Sequence, residues 1–221
     1  MFLKTGELKK VMKSALKSRG LTVGNMDGQY LVYCDSWGVC VDAVYASNKF
    51  KAAIMELIGD LPEDGECCRC SLSPEREIEQ ERVYDIPVPF EDWKAAGDFA
   101  SETPLSLTVW PHEYTIFQRK SDLGFLAADR SLTGKMISPG ELDQSVESMP
   151  GRPSVLAGTV LYFKNDTTIY WVRGESCGEK AEKVLFPRLE EIDFFEKDWV
   201  PKSGLGTEGK EERAAKERLP Y

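Results

Sequence analysis

The residues best suited to chemistry are the thiols of Cys67-Cys68-Arg69-Cys70. Cys67 and Cys70 have the C-x-x-C spacing of a zinc hook, and such a hook needs a second pair to close a tetrahedral site. Cys34 and Cys40 are the candidates to complete it, but five residues separate them, wider than the usual hook. If the segment is a strand, Cys68 and Cys70 share one face and Cys67 takes the other. Buried free thiols are the simpler reading of all six cysteines, Cys177 included. A metal at Cys67 and Cys70 is the alternative, and it would make the chain a zinc-stabilised binding module.

Other chemistries are thinner. His112 is the sole histidine, which excludes any multi-histidine metal centre, and no local signature pairs it with a cysteine nucleophile. Asp35, Asp42 and Asp129 could serve as acids or bases, but carboxylates are abundant in this chain and spacing does not single out a pair. No G-x-x-x-x-G-K-[ST] or G-x-G-x-x-G occurs, and Gly134-Lys135 lacks the upstream glycine of a phosphate loop. The sequence therefore predicts no cofactor. A small hydrolase or transferase with an irregular carboxylate or Cys/His site remains the enzymatic alternative.

Charge is more informative. The 221 residues carry a net −9, unevenly spread. Residues 1–20 hold six bases and one acid, whereas residues 60–102 hold thirteen acids and four bases. A field of that sign argues against direct nucleic-acid binding and against anionic membranes, and it attracts basic partners. The expected function is thus a non-enzymatic, acidic interaction protein that acts stoichiometrically on a protein partner with a basic surface, as an inhibitor or nucleic-acid mimic. The candidate contacts are Glu63, Asp64, Glu66, Glu75, Glu77, Glu79 and Glu81, with Trp37 as an aromatic anchor at a hairpin tip. Trp110, beside Pro111 at another hairpin end, is weighed in the same way. The first residues lack a signal-peptide apolar run, and no stretch is long and apolar enough to span a membrane. The expected location is the cytoplasm.

The elements that must position these residues follow from periodicity. Leu8, Val11, Met12, Ala15 and Leu16 form one apolar stripe, so a helix is expected over 5–19, capped by Thr5 and closed by Gly20. A meander follows, with strands near 21–24, 29–34 and 39–45, a turn at 25–28 and a connection at 35–38. Ser47 caps a second helix to Ile58, closed by Gly59, and 66–72 is a strand. Ser73-Pro74-Glu75 suggests a short helical start, and Ile86-Pro87-Val88-Pro89 an extended connector. A third helix is expected over 90–100 with Phe90, Trp93 and Phe99 inward. Strands then follow at 105–110, 114–119, 124–128, 160–163 and 168–173, with a loop over 138–154. Helices are expected over 178–186, stopping at Pro187, and from Leu189 to about Trp199.

The fold class predicted is α+β, with antiparallel hairpins and meanders and amphipathic helices packed on one face. The expected organisation is an N-terminal lobe over 1–86, a connector and helix over 87–103, and a C-terminal lobe over 104–200. Residues 201–221 are expected to form a charged disordered tail.

Overall fold

The computed structural model describes residues 1–84, 92–139 and 142–195. The connector at 86–89 and the tail at 201–221 lie outside the described residues. The class is mixed α+β. An antiparallel sheet of eleven strands runs in the order β5-β4-β1-β2-β3-β11-β10-β9-β6-β7-β8. The strands are β1 (Leu21–Met26), β2 (Gln29–Tyr33), β3 (Trp37–Asp42), β4 (Glu66–Leu72), β5 (Ile78–Arg82), β6 (Asp98–Val109), β7 (His112–Arg119), β8 (Phe125–Asp129), β9 (Ser154–Leu156), β10 (Val160–Lys164) and β11 (Thr168–Arg173).

Helix α1 (Thr5–Ser18) buries Leu8, Met12, Ala15 and Leu16, the expected stripe. Thr5 is its first residue, not its cap: Lys4 holds the N-cap position and gives no side-chain bond. Gly20 takes φ +93°, and its N–H donates to Ala15 O (2.9 Å), which closes the helix. Helix α2 (Asn48–Ile58) begins where Ser47 Oγ accepts from Phe50 N (3.2 Å), and it buries Phe50, Ala53, Ile54 and Leu57. Both helices pack on one face of the sheet, in a core that also takes Val23, Val39, Phe117, Leu126, Phe163 and Tyr170. Asp27 (φ 51°) and Gly28 (φ 75°) make the two-residue turn between β1 and β2.

The two halves of the chain meet at β3 and β11, whose register runs from Thr168↔Val41 to Val172↔Trp37. Beyond β11, Glu175 N donates to Ala127 O (2.9 Å) on β8. The chain leaving β11 thus reaches the far edge strand, so this half of the sheet curls back on itself. The C-terminal helical segment follows: a π turn (Ala181–Leu185) leads into helix α3 (Phe186–Leu189). It packs against Tyr114, Ile116 and Ala127. On β7, Tyr114 and Ile116 alternate with Phe117 of the main core, so α3 covers the face opposite α1 and α2. The expectation of helices on one face is corrected here.

Other expectations also change. No helix spans 92–100: a short 3₁₀ turn occupies Asp92–Ala95, Ala100 belongs to β6, and Phe99 is exposed. The ladders that β6 makes with β7 and β9 draw Phe99 and Ala100 into a strand and override the helix expected over 90–100. Ser73-Pro74-Glu75 starts a turn, in which Arg76 has φ 67° and Ser73 Oγ accepts from Glu77 N (3.1 Å). Pro187 does not stop its helix, because the π turn before it bonds one residue further back, Phe186 N to Ala181 O. Described residues 190–195 form turns, not a further helix, and β9 arises inside the expected loop.

Gly38 shows how tightly the joint between the halves is packed. A Cβ there would lie 2.7 Å from Trp171 Cε2 and 2.8 Å from Tyr33 Cβ. Gly38→Ala is expected to destabilise the fold by about 1–3 kcal/mol through overpacking. Urea unfolding checks this; an unchanged midpoint would show that the indole moves aside freely.

Candidate interaction surface

The acidic candidates gather at one end of the sheet. β4 and β5 form a hairpin with Cys68↔Arg82 and Leu72↔Ile78 at the limits of its register. Glu75, Glu77, Glu79 and Glu81 are all exposed along its outer strand and turn. Glu63 and Asp64 are exposed in the turn before β4. Glu66 is half-buried and accepts from Glu63 N (3.0 Å), so it ties that turn together.

Strand alternation sorts the hairpin's side chains. Gln80 lies opposite Cys70, which is in the helix-side core, and Gln80 Nε2 donates to Ile58 O (3.1 Å) at the end of α2. Ile78, Gln80 and Arg82 therefore lie on the helix side, and Glu79 and Glu81 on the other. Arg69 is cross-strand from Glu81 but donates to Arg19 O (2.7 Å).

Trp37 is not at a hairpin tip. The connection between β2 and β3 is shorter than expected, and Trp37 begins β3 with 3% of its surface exposed, inside the main core. Its burial leaves no surface to offer a partner. Trp110 is the aromatic that stands free, 90% exposed in the turn Trp110-Pro111 between β6 and β7, whose peptide bond is cis.

The cysteines do not form a cluster. Cys70 packs in the helix-side core, while Cys67 lies on the opposite face, beside Gly24 and hydrogen-bonded to Tyr33. The two cannot close on one ion from one strand. Among the described residues no three His, Cys, Asp or Glu side chains converge on a metal position. Burial pushes the Cys40 and Cys70 thiols up to about 12, and the Cys67, Cys68 and Cys177 thiols also rise, chiefly by burial. Thiols held protonated are poor nucleophiles.

The remaining candidates serve local structure. Asp42 Oδ1 accepts from Val44 N (2.9 Å), and Asp129 Oδ1 accepts from Ser131 N (2.7 Å) and Ser131 Oγ (2.6 Å). His112 is exposed at the start of β7, 6.2 Å from the Tyr114 ring centre.

Several concavities occur among the described residues, and three of them lie on different parts of the sheet. One of about 230 Å³ is lined by Arg19, Thr22, Tyr33, Asp35 and Arg69. A second, of about 680 Å³, includes Gln29, Asp42, Trp93 and Lys164, with Lys164 Nζ 4.0 Å from the Trp93 ring centre. A third, of about 630 Å³, lies between Phe99 and Phe195, with Lys120 and Arg152 stacked on Phe195. None of these three holds a nucleophile bonded to a base; a fourth, of about 190 Å³, is lined by Trp37, Asp129 and Ser131, and there Ser131 Oγ donates to Asp129 Oδ1 (2.6 Å) in the turn after β8.

α1 is the counterpart of opposite charge. Lys10, Lys13, Lys17 and Arg19 are exposed on it, and Lys9 pairs with Glu56 of α2. No helix among the described residues is long and apolar enough to cross a membrane.

No protein-family model and no curated protein matches the chain. Among solved structures, it is similar to a DNA polymerase III beta-like protein from Eubacterium rectale ATCC 33656. The two are 12% identical, with a TM-score of 0.34, over 83% of this chain and 67% of that one.

Among the perturbed carboxylates that sequence reading missed, Glu102 is one whose pKa rises. Glu102 sits at the irregular register of β6, where Pro104 interrupts the ladder. Burial raises its pKa above the ordinary 4.5, and Arg130 pulls it partly back. A folded-state value above the unfolded one means that the carboxylate destabilises the fold at neutral pH. That penalty fades as pH falls through the raised value. Glu102→Gln is therefore expected to raise the unfolding midpoint near pH 7 and to give no gain near pH 3. Equal gains at both would assign the effect to packing rather than ionisation.

Proposed function

We propose that this protein is a non-enzymatic acidic regulator that binds a partner with a basic surface stoichiometrically. The observation that supports it is the alternating row of exposed carboxylates on the β4–β5 hairpin. Along a strand, alternate residues recur about every 6.8 Å. That is about twice the 3.4 Å axial spacing of phosphates on one strand of a duplex. Glu77, Glu79 and Glu81 thus resemble every second phosphate of a backbone, on a rigid support, and a basic groove built for nucleic acid would accept them. In this reading the chain has two lobes, one in each half of the sheet, acting in the cytoplasm. The first lobe carries the contact surface, extended by Glu63 and Asp64.

The test is retention of basic proteins from lysate on the immobilised chain at about 0.1 M and about 1 M salt, where the Debye length falls from about 10 Å to about 3 Å. A defined basic partner is expected at low salt only, and it is expected to be lost when Glu75, Glu77, Glu79 and Glu81 are all changed to Lys. Retention unchanged by that reversal would sink the reading.

A second reading rests on exposed Lys13 and Lys17 of α1, joined by Lys10, itself paired with Glu7 (2.7 Å), and by Arg19 at the C-cap, which offer positive charge to a phosphate backbone. Titration of duplex DNA at low salt separates the two readings. Binding that Lys13→Glu with Lys17→Glu abolishes supports the second, and the absence of binding leaves the acidic surface alone.

A further inference from the structure

β5 is an edge of the sheet, and its outward backbone has no partner among the described residues. Val83 N donates to Cys67 O (2.8 Å) and Ser73 N to Glu77 O (2.9 Å), on either side of the β4–β5 register. Bonding residues alternate in an antiparallel ladder, so Glu77, Glu79, Glu81 and Val83 turn their peptide groups toward β4. Ile78, Gln80 and Arg82 therefore turn theirs outward, and no backbone of a described residue bonds them there. All five residues of β5 are exposed. The opposite edge differs, because Glu175 N already occupies Ala127 O on β8.

An open edge is a template for another strand, and charge decides which strand it accepts. Two copies of β5 paired antiparallel about Gln80 would set Glu79 of one against Glu81 of the other. Like charges directly opposite are unfavourable, so a second copy is disfavoured. A strand with Lys or Arg at alternate positions reverses the sign. The new ladder would bond Ile78, Gln80 and Arg82. Residues opposite Glu79 and Glu81 would then fall at the non-hydrogen-bonded positions, where Cα atoms approach to about 4.5 Å and side chains are closest. Neither glutamate is ion-paired among the described residues.

We infer that β5 accepts an extended basic segment of the partner as an added strand, with its Lys or Arg residues facing Glu79 and Glu81. This rests on the acidic-regulator reading and adds its mode of contact: backbone pairing supplies affinity, and alternate charges supply selection.

The test uses the full chain and a synthetic seven-residue peptide alternating Lys and Val. Binding is expected to slow hydrogen exchange at Ile78, Gln80 and Arg82, the amides now open, more than at Glu79 and Glu81. Gln80→Pro removes one outward N–H and no β4 bond, so binding is expected to weaken at least about tenfold while the protein stays folded. N-methylation of the peptide's Val residues, which lie opposite the open positions, should block binding. Methylation of its Lys residues should leave it. Should Gln80→Pro fail to fold, the methylated peptides carry the test alone. Equal binding of both methylated peptides would overturn the added strand and leave an acidic surface held by charge. No binding by this peptide or by any basic protein would remove both readings. Self-association that depends on Gln80 would make a second copy the occupant and overturn the proposal.

Discussion

The pairing of β3 with β11 joins segments far apart in sequence and makes one sheet of two halves. Arg173 N to Ser36 O (2.8 Å) and Asp42 N to Thr167 O (2.9 Å) extend it beyond both ends of the register. Its two tryptophans fix the faces. Trp37 enters the helix-side core, and Trp171 lies on the other face with Leu31, Tyr33 and Tyr162. A slip of one residue would exchange those faces along β3. Gly38 is needed where the Trp171 ring crosses the neighbouring strand. Strand order on either side then follows from short hairpins, because each remaining strand needs only its sequence neighbour or a nearby edge.

With the centre fixed, the ends of the sheet acquire different characters. The β8 end is folded over by the chain leaving β11 and covered by α3. The β5 end is exposed along its whole length, with Gln80 reaching the end of α2. Carboxylates are tolerated there at little desolvation cost, and they also keep identical edges apart. The basic residues of α1 lie on the face where α1 and α2 cover the core. The chain's net negative charge therefore hides a separation of sign, and whole-chain charge is a poor guide to any one surface.

Local signals identified the parts that are locally determined. The apolar stripe of α1, the Ser47 cap, the Asp27-Gly28 turn and the span of β4 were all legible, since each is decided within a few residues. The second half of β6 was also legible, as the strand expected over 105–110, but its first part, 98–104, was not, because β7 and β9 decide it. β9 was hidden in a segment rich in Pro and Gly, and it gains its strand geometry only from β10 and β6. Trp37 was placed at a tip because the turn before it was read one residue too long. At the candidate surface, the acidic composition of 75–81 was plain, but its strand character was not. The segment has too few apolar residues to show a period, and β4 decides it. The separation of Cys67 from Cys70 was legible, because alternation alone requires it.

The buried polar groups point the same way as the surface. Gln118 is fully buried; its amide donates to Leu123 O (3.0 Å) and Ile192 O (2.8 Å) and accepts from Phe194 N (2.8 Å), which fastens the segment after α3 to β7. Tyr170 Oη donates to Leu132 O (2.7 Å), and Thr133 Oγ1 donates to Thr115 Oγ1 (3.0 Å), which holds the turns after β8 against the core. Each of these groups satisfies a backbone or side chain that burial would otherwise leave unpaired. Groups committed in this way are not free to bind or transform a substrate. The outward donors and acceptors on β5 are different in kind: they have no partner among the described residues, and an added strand would pair them without breaking any bond between described residues. An edge of this sort can accept a strand without a conformational change of the fold.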